Sequence, residues 1–438
     1  MQFAWQQGLI VFAVAFLVTF ATVPLAKRIA KLCGAIDYPG NRRVNTEPVP
    51  RCGGIAMYLG IVAGAFTIFV GVRWAGWELH DLYTINNVNY ILLFVGVTVM
   101  FTVGLIDDIT QLGPAVKFGG QVIAAVIVVM AGVSVGTIRT IGVGTYVPLG
   151  WLDMPVSVLY LLVFVNITNL IDGLDGLASG ITAIVAAALL YLVLMRGSMT
   201  LAFMCVTLIA VCLAFLRYNF YPASIFMGDS GALLLGLVMG IISVSGIVRT
   251  QSLIIMLVPL AIAGVPVLDT LAAIIRRLRG HQRIEQADME HVHHKLMKAG
   301  FGQRKAVAVL WACSAGLAVA GCAVSGLSGV VRYGVLVALA VVILIVVHHF
   351  GLFKPVLKHY YDNKGGRGPR LPRFAKGAGK TIKSRSDANS DDDSEDGASV
   401  QDGADVDSSA VSGEAGGEDV AAQDAFDGEA GEDGGQSA

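Results

Sequence analysis

Acidic residues are scarce before the C-terminal part of this chain, and several of them stand in short polar clusters between long apolar runs. The segment GLIDDITQLGP contains the adjacent pair Asp107 and Asp108. A carboxylate at the edge of hydrocarbon is costly, and two of them at the negative end of a helix dipole need a positive neighbour. Lys117, ten residues on, is a candidate. The pair therefore predicts a functional site, although a simple polar helix stop is the alternative.

A second cluster lies in NITNLIDGLDGLASG, where Asn166, Asn169, Asp172 and Asp175 follow one another at intervals of three. Successive members of such a row are expected to lean onto one side of a helical turn. Two amides and two carboxylates offer hard oxygen ligands for Mg²⁺ and hydrogen-bonding groups for a base or sugar. An ordinary Asn/Asp/Gly turn between two helices is the alternative.

The third cluster is MGDSGALLLG, at the start of another apolar run. Asp229 or Ser230 would serve as the N-cap of the helix that follows, and a purely structural cap is the alternative to a functional site here. A helix N-terminus also binds phosphate, because its unpaired N–H groups and the positive dipole end point at the anion. A metal-binding Asp at this place would suit a metal–pyrophosphate complex.

The fourth cluster is HVHHKL, which places His291, His293 and His294 in a basic loop. Zinc is one interpretation, since His is a common zinc ligand. The neighbouring residues are cationic and no cysteine lies close by. We therefore favour a cationic lid over phosphate groups.

The elements that must position these clusters are membrane helices. The chain has 438 residues, of which 55% are hydrophobic and 14% charged, and its mean hydropathy is +0.69. This composition excludes an ordinary water-soluble enzyme. Of 32 acidic residues, 17 lie from Asp387 onward, which leaves residues 1–385 with a net charge of +16. The basic residues occupy short gaps between apolar runs, which favours membrane orientation over nucleic-acid binding.

The pattern predicts an all-α, polytopic integral membrane protein embedded in a lipid bilayer. About twenty mostly apolar residues span a membrane, and about eleven such stretches occur. They are approximately 8–27, 53–72, 88–106, 118–134, 156–171, 177–195, 200–216, 231–248, 253–275, 306–324 and 330–350.

Lys and Arg concentrate in alternate gaps, which by the positive-inside rule puts the N-terminus outside and the C-terminus in the cytoplasm. The acidic clusters then all lie at the cytoplasmic face. Residues 1–350 are predicted to be the catalytic transmembrane domain, 351–385 a basic juxtamembrane segment, and 386–438 an acidic disordered tail whose partner is unknown.

Four motifs occur in order: DD followed by L-x-P-x-x-K-F-x-x-Q, N-x-x-N-x-x-D-G-L-D-G-L, M-G-D-S-G and H-V-H-H-K-L. They resemble those of the polyprenyl-phosphate N-acetylhexosamine-1-phosphate transferases, glycosyltransferase family 4, over residues 10 to 350. This family includes enzymes that start enterobacterial common antigen and wall teichoic acid synthesis, and the phospho-N-acetylmuramoyl-pentapeptide transferase of peptidoglycan.

The resemblance implies that a polyprenyl phosphate, typically undecaprenyl phosphate, attacks the β-phosphate of a UDP-sugar and releases UMP. It implies Mg²⁺ as cofactor, with Mn²⁺ as a substitute, a multi-pass protein of the plasma membrane, and leaves a homodimer open. Whether an Asp forms a covalent intermediate or acts as a base is also open.

Site residues are carried over motif by motif. Asn169 and Asp229 resemble the metal ligands, and Asp107 and Asp108 the carboxylates that activate or orient the lipid phosphate. The nucleotide site would include Asp172, as a catalytic residue, and Asp175, with Asn166 also binding substrate. The cationic groups for sugar, pyrophosphate or other substrate contacts would be His291, His293, His294, Arg276, Arg277, Arg42 and Arg43.

The single HVHH cluster and the eleven spans are closer to the UDP-N-acetylglucosamine branch than to the peptidoglycan branch. Two positions depart from the family pattern: Gln111 stands where some relatives have a third Asp, and Asn45 where relatives often have His. The peptidoglycan transferase is the alternative within the family. A proton-coupled carrier and a non-catalytic scaffold are the alternatives outside it, but the acidic residues gather on one face, which argues against a carrier.

Overall fold

Long α-helices make up most of the part of the chain that the computed structural model describes. That part comprises residues 5–39, 47–79, 88–139, 146–246 and 302–325, with single residues between 327 and 341. Its helices are α1 (Trp5–Leu32), α2 (Gly54–Trp74), α3 (Tyr90–Thr110), α4 (Pro114–Met130), α5 (Asp153–Ile171), α6 (Leu177–Leu194), α7 (Met199–Asn219), α8 (Gly228–Gly246) and α9 (Gln303–Ser325).

Each of these helices overlaps one of the predicted spans, nine in all. Eight of the nine helices are long and apolar enough to cross a membrane. The protein is therefore a multi-pass membrane protein. The predicted spans 253–275 and 330–350 fall outside the continuously described residues, as do the basic segment 351–385 and the tail 386–438.

Helix α4 occupies a different range from the predicted span 118–134. It begins at Pro114, because proline suits the first helical position, where no N–H partner is needed. It ends before Gly132, whose φ of 103° leaves the helical region. With 17 residues it is shorter than its eight neighbours.

Two short antiparallel ladders connect the helices. β1 (Ile36–Asp37) pairs with β2 (Val49–Pro50), and β3 (Thr137–Arg139) pairs with β4 (Tyr146–Pro148). The β2 segment also contacts the loop that precedes α8, because the N–H of Phe226 donates to the carbonyl of Pro50 at 2.9 Å. The loop between α1 and α2 is thus held against the start of α8.

Helix α8 lies at the centre of the bundle, and 17 of its residues are buried. Glycines let the neighbouring backbones come close. A Cβ on Gly104 of α3 would lie 2.6 Å from the carbonyl oxygen of Asp229, and a Cβ on Gly236 would lie 2.6 Å from the Cα of Val165 on α5. The small residues therefore fix where the first turn of α8 meets the last turn of α3.

The other end of the same helices packs less closely. A cavity of about 400 Å³ lies between α2, α3, α7 and α8, lined by side chains such as Val62, Phe94, Met204 and Val238. Its walls are almost entirely apolar. This apolar cavity lies away from the acidic residues, next to the first turns of α3 and α7.

Candidate functional site

Asp108, in the last turn of α3, caps the N-terminus of α8. Its Oδ1 accepts the N–H of Asp229 at 2.8 Å. Its Oδ2 accepts both the N–H of Ser230, at 3.0 Å, and the Ser230 hydroxyl, at 2.6 Å. The side chain of Asp108 is fully buried. Both carboxylate oxygens are therefore committed to holding the MGDSG turn.

This arrangement replaces the structural alternative, in which Asp229 or Ser230 would be the N-cap of α8. The helix begins at Gly228, and its first N–H groups are satisfied by a carboxylate from a helix 121 residues earlier. The same contact makes this N-terminus a poor phosphate site, because Asp108 already accepts the N–H groups of residues 229 and 230.

Gly228 is required by this contact. Its φ is +70°, and a Cβ there would lie 2.4 Å from the Oδ2 of Asp108. Both the left-handed backbone and the lack of space exclude a side chain. The contact with Asp108 thus explains why the M-G-D-S-G motif contains a glycine, which its spacing in the sequence does not reveal.

Lys117 joins the two remaining carboxylates of the cluster. Its Nζ lies 2.9 Å from the Oδ2 of Asp107 and 2.9 Å from the Oδ2 of Asp229. The other oxygen of Asp107 accepts the N–H of Leu112 at 2.7 Å, which ties down the turn between α3 and α4. The structure thus confirms Lys117 as the positive neighbour expected for the Asp107–Asp108 pair.

Asp229 has two further partners. Its Oδ1 accepts a hydrogen bond from the Nδ2 of Asn169 on α5. Its Oδ2 lies 3.7 Å from the Nη2 of Arg51, which also lies 3.6 Å from the Oδ1 of Asp108. Burial would lower the pKa of Arg51, but the surrounding carboxylates outweigh burial and hold that pKa above its usual value.

The predicted row of four polar residues does not lie on one face. Asn169 faces Asp229, whereas Asn166 donates through Nδ2 to the Oε1 of Gln121 at 3.0 Å. Asp172 is the C-cap of α5, with a ψ of 53°, and the chain then turns away from the helix. Asp172 therefore stands at the end of the helix, close enough for Asp229 and Arg51 to act on its charge, and Asp175 lies beyond the helix beside Ala223.

Asp172 is half-buried at this helix end. Burial raises its pKa to about 7, and the negative charge of Asp229 adds to the effect, as do Asp108 and Asp175, while Arg51 opposes it. A carboxyl group whose pKa is raised by burial among other carboxylates is typical of a functional site.

Asp175 belongs to a neighbouring cavity. Its Oδ2 accepts the N–H of Ala223 at 2.9 Å, and burial is the main reason that its pKa is raised. The cavity has a volume of about 480 Å³, and its lining includes Lys27, Lys31 and Phe226. This nucleotide-sized space, which we call the Asp175 cavity, has both basic and aromatic side chains.

Asn219, which the sequence analysis did not single out, connects the two loops around that cavity. Its Oδ1 accepts the N–H of Gly176 at 3.0 Å, and its Nδ2 donates to the carbonyl of Ile225 at 3.0 Å. An Asn at the end of a helix carries little sequence signal by itself. Its role depends on a contact between segments that are 43 residues apart.

A divalent cation fits the chemistry of this cluster. Carboxylate and amide oxygens are hard ligands, and the positive Lys117 ammonium already bridges Asp107 and Asp229. Among the described residues, no three His, Cys, Asp or Glu side chains converge as a complete metal cage. One or two of these carboxylates could hold a divalent cation whose remaining ligands are water and substrate phosphate.

Seven candidate residues lie outside the described part of the chain: Arg42, Arg43, Arg276, Arg277, His291, His293 and His294. Their roles stay predictions. The described cluster therefore unites Asp107, Asp108, Asn169 and Asp229, adds Arg51 and Lys117, and places Asp175 in the adjoining cavity.

The fold and the cluster together define a multi-pass membrane protein with a mixed carboxylate and cation site at one end of its helices. Residues 90–247 match the family described as "Glycosyl transferase family 4". The chain belongs to this family, which confirms the resemblance of the four motifs.

Curated relatives extend the match to most of the helical region. A "Probable undecaprenyl-phosphate N-acetylglucosaminyl 1-phosphate transferase" of Bacillus subtilis (strain 168) is 37% identical over 302 residues, which cover 68% of this chain and 80% of the relative. A "Decaprenyl-phosphate N-acetylglucosaminephosphotransferase" of Mycobacterium tuberculosis (strain CDC 1551 / Oshkosh) is 35% identical over 322 residues, which cover 68% of this chain and 77% of the relative. A "Phospho-N-acetylmuramoyl-pentapeptide-transferase" of Desulforudis audaxviator (strain MP104C) is 30% identical over 351 residues, which cover 73% of this chain and 98% of the relative.

Proposed function

We propose that this protein transfers N-acetylglucosamine 1-phosphate from UDP-N-acetylglucosamine to a polyprenyl phosphate, with release of UMP. The 37% and 35% identity to N-acetylglucosamine 1-phosphate transferases, each over more than 300 residues, supports the sugar. The product, a polyprenyl-diphospho-sugar, would start a lipid-linked glycan at the membrane.

The observation that carries this proposal is the environment of Asp229. Its carboxylate lies beside an amide, Asn169, and between two cations from different segments, Lys117 and Arg51. Phosphoryl transfer depends mainly on positioning and on neutralising negative charge. A carboxylate–amide pair for a metal and flanking cations for phosphates supply both.

Mg²⁺ is the proposed cofactor, with Mn²⁺ as a substitute, and Asn169 and Asp229 are the proposed protein ligands. When bound, the ion would neutralise the charge of the donor diphosphate. The hydrogen bond from Asn169 to Asp229 keeps the two side chains adjacent, so that both face the same ligand.

The reaction joins an acceptor phosphate oxygen to the β-phosphorus of the donor, and the bond from that phosphorus to the oxygen of UMP breaks. Asp107 is proposed to orient the acceptor. Its Oδ2 lies 2.9 Å from the Nζ of Lys117, and an ammonium has three N–H donors, so the contact with Asp107 does not occupy all of them. Lys117 would bind the phosphates that gain charge. Asp108 would contribute by holding the turn that carries Asp229.

The Asp175 cavity is the proposed place of the nucleotide. Its basic side chains suit a phosphate-bearing ligand, and Phe226 offers an aromatic surface for a base. Asp229, in the cluster, and Asp175, in this cavity, both contribute to the raised pKa of Asp172, which fits a place near the metal-bound phosphates. The His291, His293 and His294 cluster would cover the phosphates from the loop before α9.

The cluster is proposed to face the cytoplasm from the plasma membrane, with about eleven spans and an outside N-terminus. This orientation follows from the Lys and Arg distribution in the sequence. It also suits the substrates, because a nucleotide sugar is water-soluble whereas the polyprenyl phosphate stays in the bilayer. A cysteine introduced beside the site should react with impermeant reagents only from the cytoplasmic side.

The decisive experiment measures UMP release by the purified protein in detergent, with undecaprenyl phosphate and Mg²⁺. UDP-N-acetylglucosamine, UDP-N-acetylgalactosamine and UDP-N-acetylmuramoyl-pentapeptide are compared, each with and without EDTA. We expect lipid- and metal-dependent release with UDP-N-acetylglucosamine. Preference for the pentapeptide donor would move the protein to the peptidoglycan branch, and no release from any donor by folded protein would reject the proposal.

A further inference from the structure

Arg51 holds a guanidinium inside the carboxylate cluster without a hydrogen bond to any of its acidic neighbours. Its nitrogens lie 3.6 Å from Asp108, 3.7 Å from Asp229 and 3.9 Å from Asp37. These distances are ion-pair contacts, and they exceed the range of a hydrogen bond. The guanidinium is therefore attracted to the cluster, but its N–H groups do not donate hydrogen bonds to these three carboxylates.

The backbone of Arg51 is fixed from several sides. Its N–H donates to the carbonyl of Ala35 at 2.8 Å, and residues 53 and 54 donate to the carbonyls of Phe226 and Met227. A Cβ on Gly54 would lie 2.3 Å from the backbone nitrogen of Gly231, so this segment is docked directly on α8. The arginine is therefore positioned by the same turn that positions Asp229.

The residue after it is strained. Cys52 has a φ of 131°, a conformation that non-glycine residues rarely adopt, and it is fully buried. Burial raises the pKa of its thiol to about 12, so it stays a neutral core residue. Strain of this kind persists only where the surroundings enforce it, and it is frequent at functional sites.

The charge of the cluster suggests which ligand the N–H donors of Arg51 would bind. Asp37, Asp107, Asp108 and Asp229 outnumber the cations Arg51 and Lys117 by two. A divalent cation at Asp229 would bring the charge of these six groups to zero. The guanidinium, a quarter exposed, would then face an incoming anion with donors that do not hydrogen-bond Asp37, Asp108 or Asp229.

We propose that Arg51 is a phosphate-binding residue of this transferase, and that its guanidinium donates hydrogen bonds to a substrate phosphate beside Asp229. The inference rests on the proposed function. Guanidinium matches phosphate geometry with two parallel N–H donors, which an ammonium does not. Two substrates bring phosphate to this place: the diphosphate of the nucleotide sugar and the monophosphate of the lipid.

A steady-state experiment separates these two sources. UMP release is measured for the wild type, Arg51→Gln and Arg51→Lys, first varying UDP-N-acetylglucosamine at saturating undecaprenyl phosphate and then the reverse. We expect Arg51→Gln to raise KM for one substrate at least about tenfold, which corresponds to about 1.4 kcal/mol. Arg51→Lys keeps the charge but not the paired donors, so its KM should lie between the other two.

The matched control is Arg73→Gln. Arg73 lies on the last turn of α2, at the opposite end of the helix that follows Arg51, and is exposed. This control should leave both KM values within twofold of the wild type. Thermal unfolding of each variant in detergent shows whether a change of KM accompanies a loss of stability.

A purely structural arginine would give a different result. If Arg51 served only to neutralise its neighbours, Arg51→Gln would lower the unfolding temperature and the amount of active protein, with both KM values within twofold of the wild type. That outcome would overturn the inference and leave the proposed function in place. Arg51→Lys, which retains the charge, keeps the test open if the Gln variant does not fold.

A binding measurement keeps the two proposals distinguishable. Thermal unfolding of the wild type and Arg51→Gln is followed with Mg²⁺ and increasing UDP or inorganic pyrophosphate. If the wild type releases no UMP from any donor, the proposed function fails, and this measurement alone decides on Arg51. Stabilisation of the wild type that is reduced at least about fivefold in midpoint concentration for Arg51→Gln supports phosphate binding; equal stabilisation, or none, overturns it.

Discussion

Helices α3 and α8 meet in two different ways along their length. At the end that carries Asp108, a glycine brings the backbones together and a buried carboxylate satisfies the first N–H groups of α8. At the other end, Phe94 and Val238 face an apolar cavity of about 400 Å³. Close packing with satisfied polar groups thus occurs at the end that holds the candidate site, whereas the other end of the pair lines an apolar cavity.

This difference indicates that the end of α3 and α8 that carries Asp108 sets the catalytic geometry. A misplacement of about 1 Å at a phosphoryl-transfer site costs roughly 100-fold in rate. Packing defects in a membrane core cost stability in proportion to the cavity, but they move no reacting group. Substitutions at the two ends should therefore separate loss of activity from loss of stability.

The largest effects are expected for the two carboxylates of the MGDSG contact. Asp229→Asn should lower UMP release about 10²- to 10³-fold, because it removes the charge opposite the metal and phosphates. Its unfolding free energy should stay within about 1 kcal/mol of the wild type. Asp108→Asn should lower release to a similar extent and also cost about 2–4 kcal/mol, because it breaks charge-assisted hydrogen bonds to the start of α8.

Thermal unfolding and UMP release are measured on the same preparations of both variants. An Asp108→Asn protein that unfolds like the wild type would mean that the carboxylate acts on substrate rather than on the turn. That result would restore the expectation that both residues of the pair orient the lipid phosphate.

A glycine pair tests the close contact itself. Gly228→Ala should cost about 3 kcal/mol and at least about tenfold in rate, because the new Cβ meets the Asp108 carboxylate as well as an unfavourable φ. Gly34→Ala is the matched control, with a φ of +71° and no atom within 4 Å of the new Cβ. It should cost only about 1 kcal/mol and leave the rate unchanged. Equal losses in the two variants would show that backbone strain, and not the contact, matters.

A smaller effect is expected from the protonation of Asp172. Its folded pKa of about 7 lies above the usual value for an unfolded chain, so the folded state retains a proton that the unfolded state has lost. Stability without metal should therefore fall as the pH rises from about 4 to about 7, by at most about 1.4 kcal/mol per pH unit. Asp172→Asn should flatten this slope in chemical unfolding curves. A slope that is the same in the variant would assign the titration to another group.

The smallest effect is expected at the apolar cavity. Ala65 lines it, and Ala65→Leu adds methyl groups where space exists. The unfolding free energy should change by less than about 1 kcal/mol, and both KM values should stay at those of the wild type. A large loss of activity in this variant would break the contrast between the two ends and would connect the cavity to the site.

The long apolar runs were sufficient to predict nine helices, because membrane helices need about twenty apolar residues whatever their neighbours are. The requirement for a counter-charge likewise pointed to Lys117, which is near Asp107 in the chain and on the adjacent helix. Local sequence carries such information. The shift of α4 relative to its predicted span came from Pro114, a terminal signal that outweighs hydropathy.

Contacts between distant segments were beyond sequence reasoning. Arg51, Gln121 and Asn219 each contact the site or its loops across a separation that no periodicity reports. The capping of α8 by Asp108 was missed for the same reason, since that carboxylate comes from another helix. The row from Asn166 to Asp175 was wrong because α5 ends at Ile171, before two of its members.

The contact between Asp108 and α8 also constrains how the protein is made. Helix α3 leaves the ribosome well before α8, since 121 residues separate Asp108 from its partner Asp229. During that interval the carboxylate lacks the N–H groups that it needs. A nascent chain halted before Gly228 therefore lacks the contact that fixes the end of α3 against α8.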